Sequence, residues 1–143
     1  MDSAKRVMNG TWGQVWIDGD LVAECYGMQA KVAITKEAVP LCGQMAEDTK
    51  MTAFKGTGSL RLNKVFSRAG ILLGDKLKAG QEPRFTVVSA LKDPDAYGAE
   101  RVALRNVSFD DLTLADWESK TPGKTEMPFT FTDYEYLDAV APR

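Results

Sequence analysis

The stretch FKGTGSLRLNKV, residues 54–65, decides how this chain is read. Its Lys-Gly-Thr-Gly-Ser opening has the look of a phosphate-cradling loop, whereas Leu60 and Leu62 alternate with Arg61 and Asn63 in the period of a half-buried strand. A Walker-type loop places four residues between its glycines and follows the second glycine with Lys-Ser/Thr. Here the lysine precedes the glycines. A dinucleotide fingerprint would need a third glycine where Arg61 stands. Both nucleotide readings fail on spacing. The strand reading puts Phe54, Gly56, Gly58, Leu60 and Leu62 on one face and Lys55, Thr57, Ser59, Arg61 and Asn63 on the other. The glycines then leave room on the apolar side for a neighbour or a bend.

Composition is that of a soluble globular domain: 143 residues, 44% hydrophobic and 27% charged, enough for one core. Eighteen basic and twenty acidic residues give a net charge of −2, so no overall field draws nucleic acid or anionic membrane. No apolar run reaches the length of a membrane helix. Histidine is absent, which removes Ser-His-Asp and Cys-His catalysis and histidine-ligated metals. Cys25 and Cys42 lack zinc-site or redox-motif spacing. With no signal-peptide pattern, free thiols in a reduced compartment are expected. Asp110, Asp111 and Asp116 read as turn residues. Neither an enzyme nor a cofactor is expected.

Residues 1–9 are polar and unpatterned and read as a mobile N-terminal arm; residues 10–143 read as a single domain. GQVWI, then Asp18-Gly19, then DLVAE is a hairpin signal. In residues 28–39, Ala30, Val32 and Ile34 share a face, and Gln29, Lys31 and Thr35 the other. Residues 39–51 have no period and read as a long loop. Residues 66–80 form the one helix candidate, with Ala69, Leu72, Leu73, Lys76, Leu77 and Phe66 on one face, Ser67 as N-cap and Gly80 as C-cap. Strands resume at PRFTVVSALKD, AERVALRNVSFDD, LTLADW and EMPFTFTDYEYLDA. About eight strands and one helix, without a βαβ rhythm, predict a mainly β fold: an antiparallel β-sandwich or open barrel with one flanking α-helix. Strands near 28–38 and 52–65 are longer than a small sandwich needs, which points to a sheet continuing beyond the monomer.

Over residues 10–138 the chain resembles the tail tube proteins of contractile phage tails, a group shared with defective prophages and phage-tail-like bacteriocins. The resemblance rests on GQVWIDGDLVAE, FKGTGSLRLNKVFSR, GQEPRFTVVSALKDPDAYGAERVALRNVSFDDL and MPFTFTDYEYLD, in that order and spacing. It implies a structural, non-enzymatic virion or bacteriocin-particle protein, assembled in the bacterial host cytoplasm. Six copies would form a ring whose strands, near 28–38, 52–65, 84–92 and 100–108, close a barrel around a channel. Rings would stack into a tube. Its partners would be further copies of itself, a sheath protein, baseplate and tail terminator proteins, and DNA if DNA passes through the channel. Channel-lining candidates are Gln29, Lys31, Thr35, Lys55, Thr57, Ser59, Arg61, Asn63, Arg101 and Arg105. The long loop and the arm would order against neighbouring subunits, giving Met45, Glu47, Asp48, Lys50, Lys5 and Arg6 as contact candidates. A wall carrying Lys31, Lys55, Arg61 and Arg105 would hold DNA through its phosphates, unless acids such as Glu37 offset it or no DNA passes. Two other readings share these features: the tube of a type VI secretion or contractile injection system, and a nucleic-acid-binding β-barrel using the basic strands with Trp12, Trp16 and Tyr26.

Overall fold

The computed structural model describes residues 3–142; Met1 and Asp2 of the expected arm lie outside the described residues. Eight strands and one α-helix follow the order β1 (Gly13–Ile17), β2 (Asp20–Leu21), β3 (Cys25–Val39), β4 (Asp48–Asn63), α1 (Arg68–Lys78), β5 (Phe85–Leu91), β6 (Glu100–Phe109), β7 (Lys124–Phe131) and β8 (Asp133–Asp138). Every pairing is antiparallel, in the order β2-β1-β5-β6-β7-β4-β3, with β8 branching from β6. The expected antiparallel sandwich with one flanking helix is the architecture found.

The sheet folds into two layers at one corner. Residues 101–104 of β6 lie between β5 and β8, whereas Ser108 and Phe109 pair with β7. The change of partner occurs at Asn106, whose φ of 56° turns the strand. β7 and β8 are one chain segment bent at Thr132, and Asn106 Nδ2 donates to Thr132 Oγ1 at 3.0 Å across the corner. Asparagine suits this position because it tolerates a left-handed backbone better than other side chains.

The core lies between the layers. Val15, Ile17, Val87 and Leu104 meet Leu60, Leu62, Met127, Phe129 and Phe131, and Ala69 and Leu73 of α1 join the same cluster. The rings of Phe85, Phe109, Phe129 and Phe131 follow one another at centroid distances of 5.4, 6.1 and 6.2 Å. Residues 56–63 of β4 form a strand, and the two glycines have the neighbours their face predicted. Gly56 is paired with Phe131 and Gly58 with Phe129. A Cβ on Gly56 would stand 2.4 Å from the Phe131 ring, and one on Gly58 would stand 2.3 Å from the Gln29 carbonyl oxygen. Absent side chains on β4 are thus the space into which the aromatic rings of β7 settle.

Several local expectations are corrected. The segment read as a loop over 39–51 is strand up to Val39 and again from Asp48, leaving a turn of residues 40–47. A bulge accounts for the misreading. Thr35 faces Ala53 but Lys36 faces Met51, so Thr52 is extra and the alternation counted back from Leu60 slips out of phase. LTLADW forms no strand; Leu112 packs against the core while Leu114 and Trp117 are exposed. The arm from Ser3 onward is docked, not free. The Asn9 amide donates to Asp93 Oδ2 at 2.7 Å, Arg6 Nη1 donates to the Asp95 carbonyl at 3.1 Å, and the Arg6 guanidinium stands 5.2 Å from the Tyr97 ring centroid. Polar residues read as unpatterned find partners here that are some ninety positions away in sequence.

The Asp18-Gly19 turn has positive φ at both residues, as a tight hairpin turn of the predicted kind requires. The helix is shorter than its 66–80 expectation. Gly80 closes it with φ 73° while the Gln81 amide reaches back to the Lys76 carbonyl at 2.8 Å. Ser67 precedes the helix but its side chain makes no capping bond. Phe66 and Leu77 are largely exposed, so the helix buries a narrower stripe, Ala69 and Leu73 with Leu72 beside them. What fixes α1 instead is Arg68, whose guanidinium forms a two-pronged ion pair with Glu24 just before β3.

Glu24 and Arg68 are both largely buried. Burial pushes the Glu24 carboxyl up, but hydrogen bonds from Arg68 and its own backbone, with the Arg68 charge, hold it below its ordinary value. The pair therefore stabilises the fold above pH 4.5, the unperturbed glutamate value, and that contribution is lost as pH falls through the lowered native value. Glu24→Gln should cost about 2 kcal/mol at neutral pH and flatten the acid limb of stability, measured by urea unfolding from pH 3 to 7. In the same assay Gly58→Ala should cost about 1–3 kcal/mol by overpacking. Gly74→Ala, in the helix with nothing within 4 Å of its new Cβ, should gain about 0.5–1 kcal/mol.

Candidate assembly surface

Beyond the last β4–β7 pair, Gly56 with Phe131, the β3–β4 hairpin continues alone. Among the described residues, 48–55 of β4 pair only with β3, and β3 has no partner along its outer edge. A ribbon of two strands runs out from the body for seven residue pairs, from Ala33–Lys55 to Val39–Asp48, and ends in the 40–47 turn. Residues 29–55 are exposed throughout.

The ribbon has two unlike faces. One is apolar, a continuation of the core side of β4: Val32, Ile34 and Phe54, the last two 54% and 55% exposed. A two-stranded ribbon is marginal in water by itself, and this one leaves large apolar side chains uncovered. The other face is polar. Gln29 faces Ser59, Lys31 faces Thr57, and Thr35 faces Ala53, with Lys55, Arg61 and Asn63 in the same row. Eight of the ten channel-lining candidates are therefore brought together on one surface. Arg61 lies against Gly27, where a Cβ would meet its Nε at 2.5 Å, and its register partner on β7 is Glu126.

Arg101 and Arg105 are not on that surface. They lie on β6 in the other layer, where Arg101 meets Asp138 at 3.6 Å and Arg105 meets Glu135 at 2.6 Å. Glu37 faces Lys50 across the ribbon. Local carboxylates thus offset much of the positive charge counted along the sequence. Among the contact candidates, Met45, Glu47, Asp48 and Lys50 cluster at the ribbon's far end, and Met45 is fully exposed. Lys5 and Arg6 lie in a 3-10 turn docked on residues 93–97 of their own chain.

Sequence reading missed the second open edge. β8 pairs with β6 on one side and, among the described residues, has no partner on the other. Its Tyr134 and Tyr136 stand opposite Leu104 and Val102 and, with Met28, Ala30, Val32 and Phe131, line an open groove of about 410 Å³ between the two layers. The strand was foreseeable from its alternation, but its departure from β7 at Thr132 was not. Among the described residues no cluster of His, Cys, Asp and Glu is placed to hold a metal ion. Cys25 is half-buried with its thiol, donating to the Gly27 carbonyl at 3.2 Å, pushed up by burial; Cys42 is exposed in the ribbon turn.

A sequence profile described as phage tail tube protein matches residues 2–138. The chain belongs to the phage tail tube protein family. It is similar to the phage-like element PBSX protein XkdM of Bacillus subtilis strain 168, with 32% identity over 134 residues, 92% of this chain and 91% of that protein. Its fold is that of a chain in the anti-feeding prophage tube-terminating cap (TM-score 0.74, 8% identity, covering 97% of this chain and 96% of that one). It is also that of a chain in the sheath–tube complex of an extracellular contractile injection system, PVC (TM-score 0.71, 7% identity, covering 97% and 100%). As a member of that family, the protein is a structural tail component, not an enzyme.

The β6–β8 ion pairs are largely solvent-exposed, so Arg101→Ala and Arg105→Ala should each lower the stability of the isolated tail tube family protein by less than about 1 kcal/mol, measured by thermal or urea unfolding.

Proposed function

We propose that this protein is the inner-tube subunit of a contractile tail-like particle. Six copies close a ring, rings stack, and the polar face of the β3–β4 ribbon turns toward the channel. The observation that carries this reading is the ribbon itself. Strands of fifteen and sixteen residues overrun their own core and leave both backbone edges and an apolar face uncovered. Exposed edges of this length invite aggregation unless another chain occupies them. Head-to-tail edge pairing around a rotation axis occupies every edge with identical copies and closes upon itself.

The channel wall would consist of Gln29, Lys31, Thr35, Lys55, Thr57, Ser59, Arg61 and Asn63, and the carboxylates at Glu37 and Glu126 temper its positive charge. Such a wall is hydrophilic without being a strong phosphate binder, so a charged polymer or protein cargo passes without arrest. The ribbon tips with Met45 and Glu47, together with the docked N-terminal turn, would make contacts between subunits or rings. Sheath, baseplate and terminator proteins are the partners of such a tube. The structural neighbours from sheath–tube, terminator-cap and baseplate assemblies support that setting.

Negative-stain microscopy of the concentrated protein is the test. Hollow six-fold rings or tubes are expected, and an Ile34→Asp/Phe54→Asp variant should unfold within about 0.5 kcal/mol of the parent yet form neither. A parent that stays monomeric at millimolar concentration, or a variant that assembles like the parent, would overturn the reading.

A further inference from the structure

The ribbon carries an irregularity that nothing in its own chain requires. Four residues beyond the last β4–β7 pair, Thr35 faces Ala53 and Lys36 faces Met51, which leaves Thr52 without an opposite residue. A bulge of this kind bends its strand and sharpens the local twist. Inside a sandwich such a bend fits a strand to the layer behind it. Here, among the described residues, 48–55 of β4 pair with β3 alone, and all of them are exposed. The bulge also sorts side chains. A regular ladder continued from Thr35 and Ala53 would set Met51 beside Glu37 and Lys50 beside Ala38. With Thr52 out of the count, Lys50 pairs with Glu37 and Met51 with Lys36. Lys36 lies two residues from Ile34, so Met51 joins the side of Val32, Ile34 and Phe54. Beyond the bulge the ribbon exposes Leu41, Met45 and Met51.

We propose that the Thr52 bulge aims the ribbon at a second copy of this chain. It bends residues 36–51 out of the line of the inner ribbon and so sets where Leu41, Met45 and Met51 meet the neighbouring subunit. The inference rests on the tube reading above and adds to it a positioning residue. The role belongs to the extra backbone unit, not to the threonine side chain, whose hydroxyl donates to the Thr35 carbonyl at 3.4 Å. Charge favours a copy as the occupant. Residues 36–51 carry Lys36 and Lys50 against Glu37, Glu47 and Asp48, a near balance that suits a neighbour with a net charge of only −2. A strongly charged partner of another kind would call for a one-sided tip. Edge protection is the competing role, since bulges also turn an exposed edge away from unwanted pairing. Removing the bulge separates the two: an aiming device lost gives subunits that stay apart, whereas a guard lost gives subunits that stick without order.

Deletion of Thr52 is the test, because it keeps every cross-strand pair and every face of the ribbon and removes only the bend. A second variant lacks Thr52 and carries an alanine inserted between Thr35 and Lys36, which transfers the bulge to β3. Thr52→Ala keeps the bulge and serves as the control. For each, the protein concentration at which half the material sediments is measured, with negative-stain microscopy of the pellet and urea unfolding of the unassembled protein. Thr52→Ala is expected to assemble within about two-fold of the parent. Both bulge variants are expected to unfold at the parent's urea concentration, since the site is exposed, yet to need at least about ten-fold more protein to form rings or tubes. Should the deletion unfold, the relocated bulge decides alone. Assembly of either bulge variant within about three-fold of the parent overturns the aiming role and leaves the tube reading standing. Amorphous precipitate from the deletion variant in place of rings overturns it too, in favour of edge protection. A parent that forms no rings removes both readings.

Discussion

The hydrogen-bonding capacity of a strand edge is the constraint on which this molecule turns. Every residue of a strand presents a donor and an acceptor sideways, and a fold must pair them, cover them or expose them to water. This chain does the first two only in part. Within the body, β6 is paired on both sides and shared between layers, so one strand holds the sandwich together. At the margins, one edge each of β3 and β8 and the far half of β4 are left open among the described residues. Blunted edges are what a solitary domain needs; open edges of matching alternation are what a repeating one needs.

The remaining features serve to present those edges in fixed positions. The corner at Asn106 and Thr132 sends β7 and β8 into different layers, which creates the second open edge and the groove behind it. The β7 aromatics settle onto Gly56 and Gly58, which locks the register of β4 and therefore the direction in which the ribbon leaves the body. A one-residue slip would send the rings to the polar face. The Glu24–Arg68 pair ties the start of β3 to the helix, at the point where the ribbon is rooted.

Function in such a protein is a matter of geometry, not of reactive groups. A chain without histidine can still be highly specified, because the information lies in strand length, alternation and the placement of small residues. The same physics accounts for the company its fold keeps: structures sharing 7–8% identity with it retain the layered sheet, since many side chains satisfy an alternating pattern once the pairing scheme is fixed.

Alternation identified most of the strands, though it added LTLADW and left the start of β4 as loop; it assigned Leu60 and Leu62 to the buried face and, with the glycine spacing, rejected the nucleotide loop at Gly56 and Gly58. The same period brought out the polar row from Gln29 to Asn63, because residues two apart on a strand share a face whatever surrounds them. Local chemistry likewise set the Asp18-Gly19 turn and the glycine that ends the helix. Local pattern could not show the bulge at Thr52, which shifts the phase and made strand look like loop, nor the docking of Arg6 and Asn9 on residues 93–95. It could not separate Arg101 and Arg105 from the other cations, since layer membership depends on which strand lies beside which. Those outcomes were decided by pairing between distant segments: the energy of a ladder depends on both of its strands, and a sequence read in order shows only one at a time.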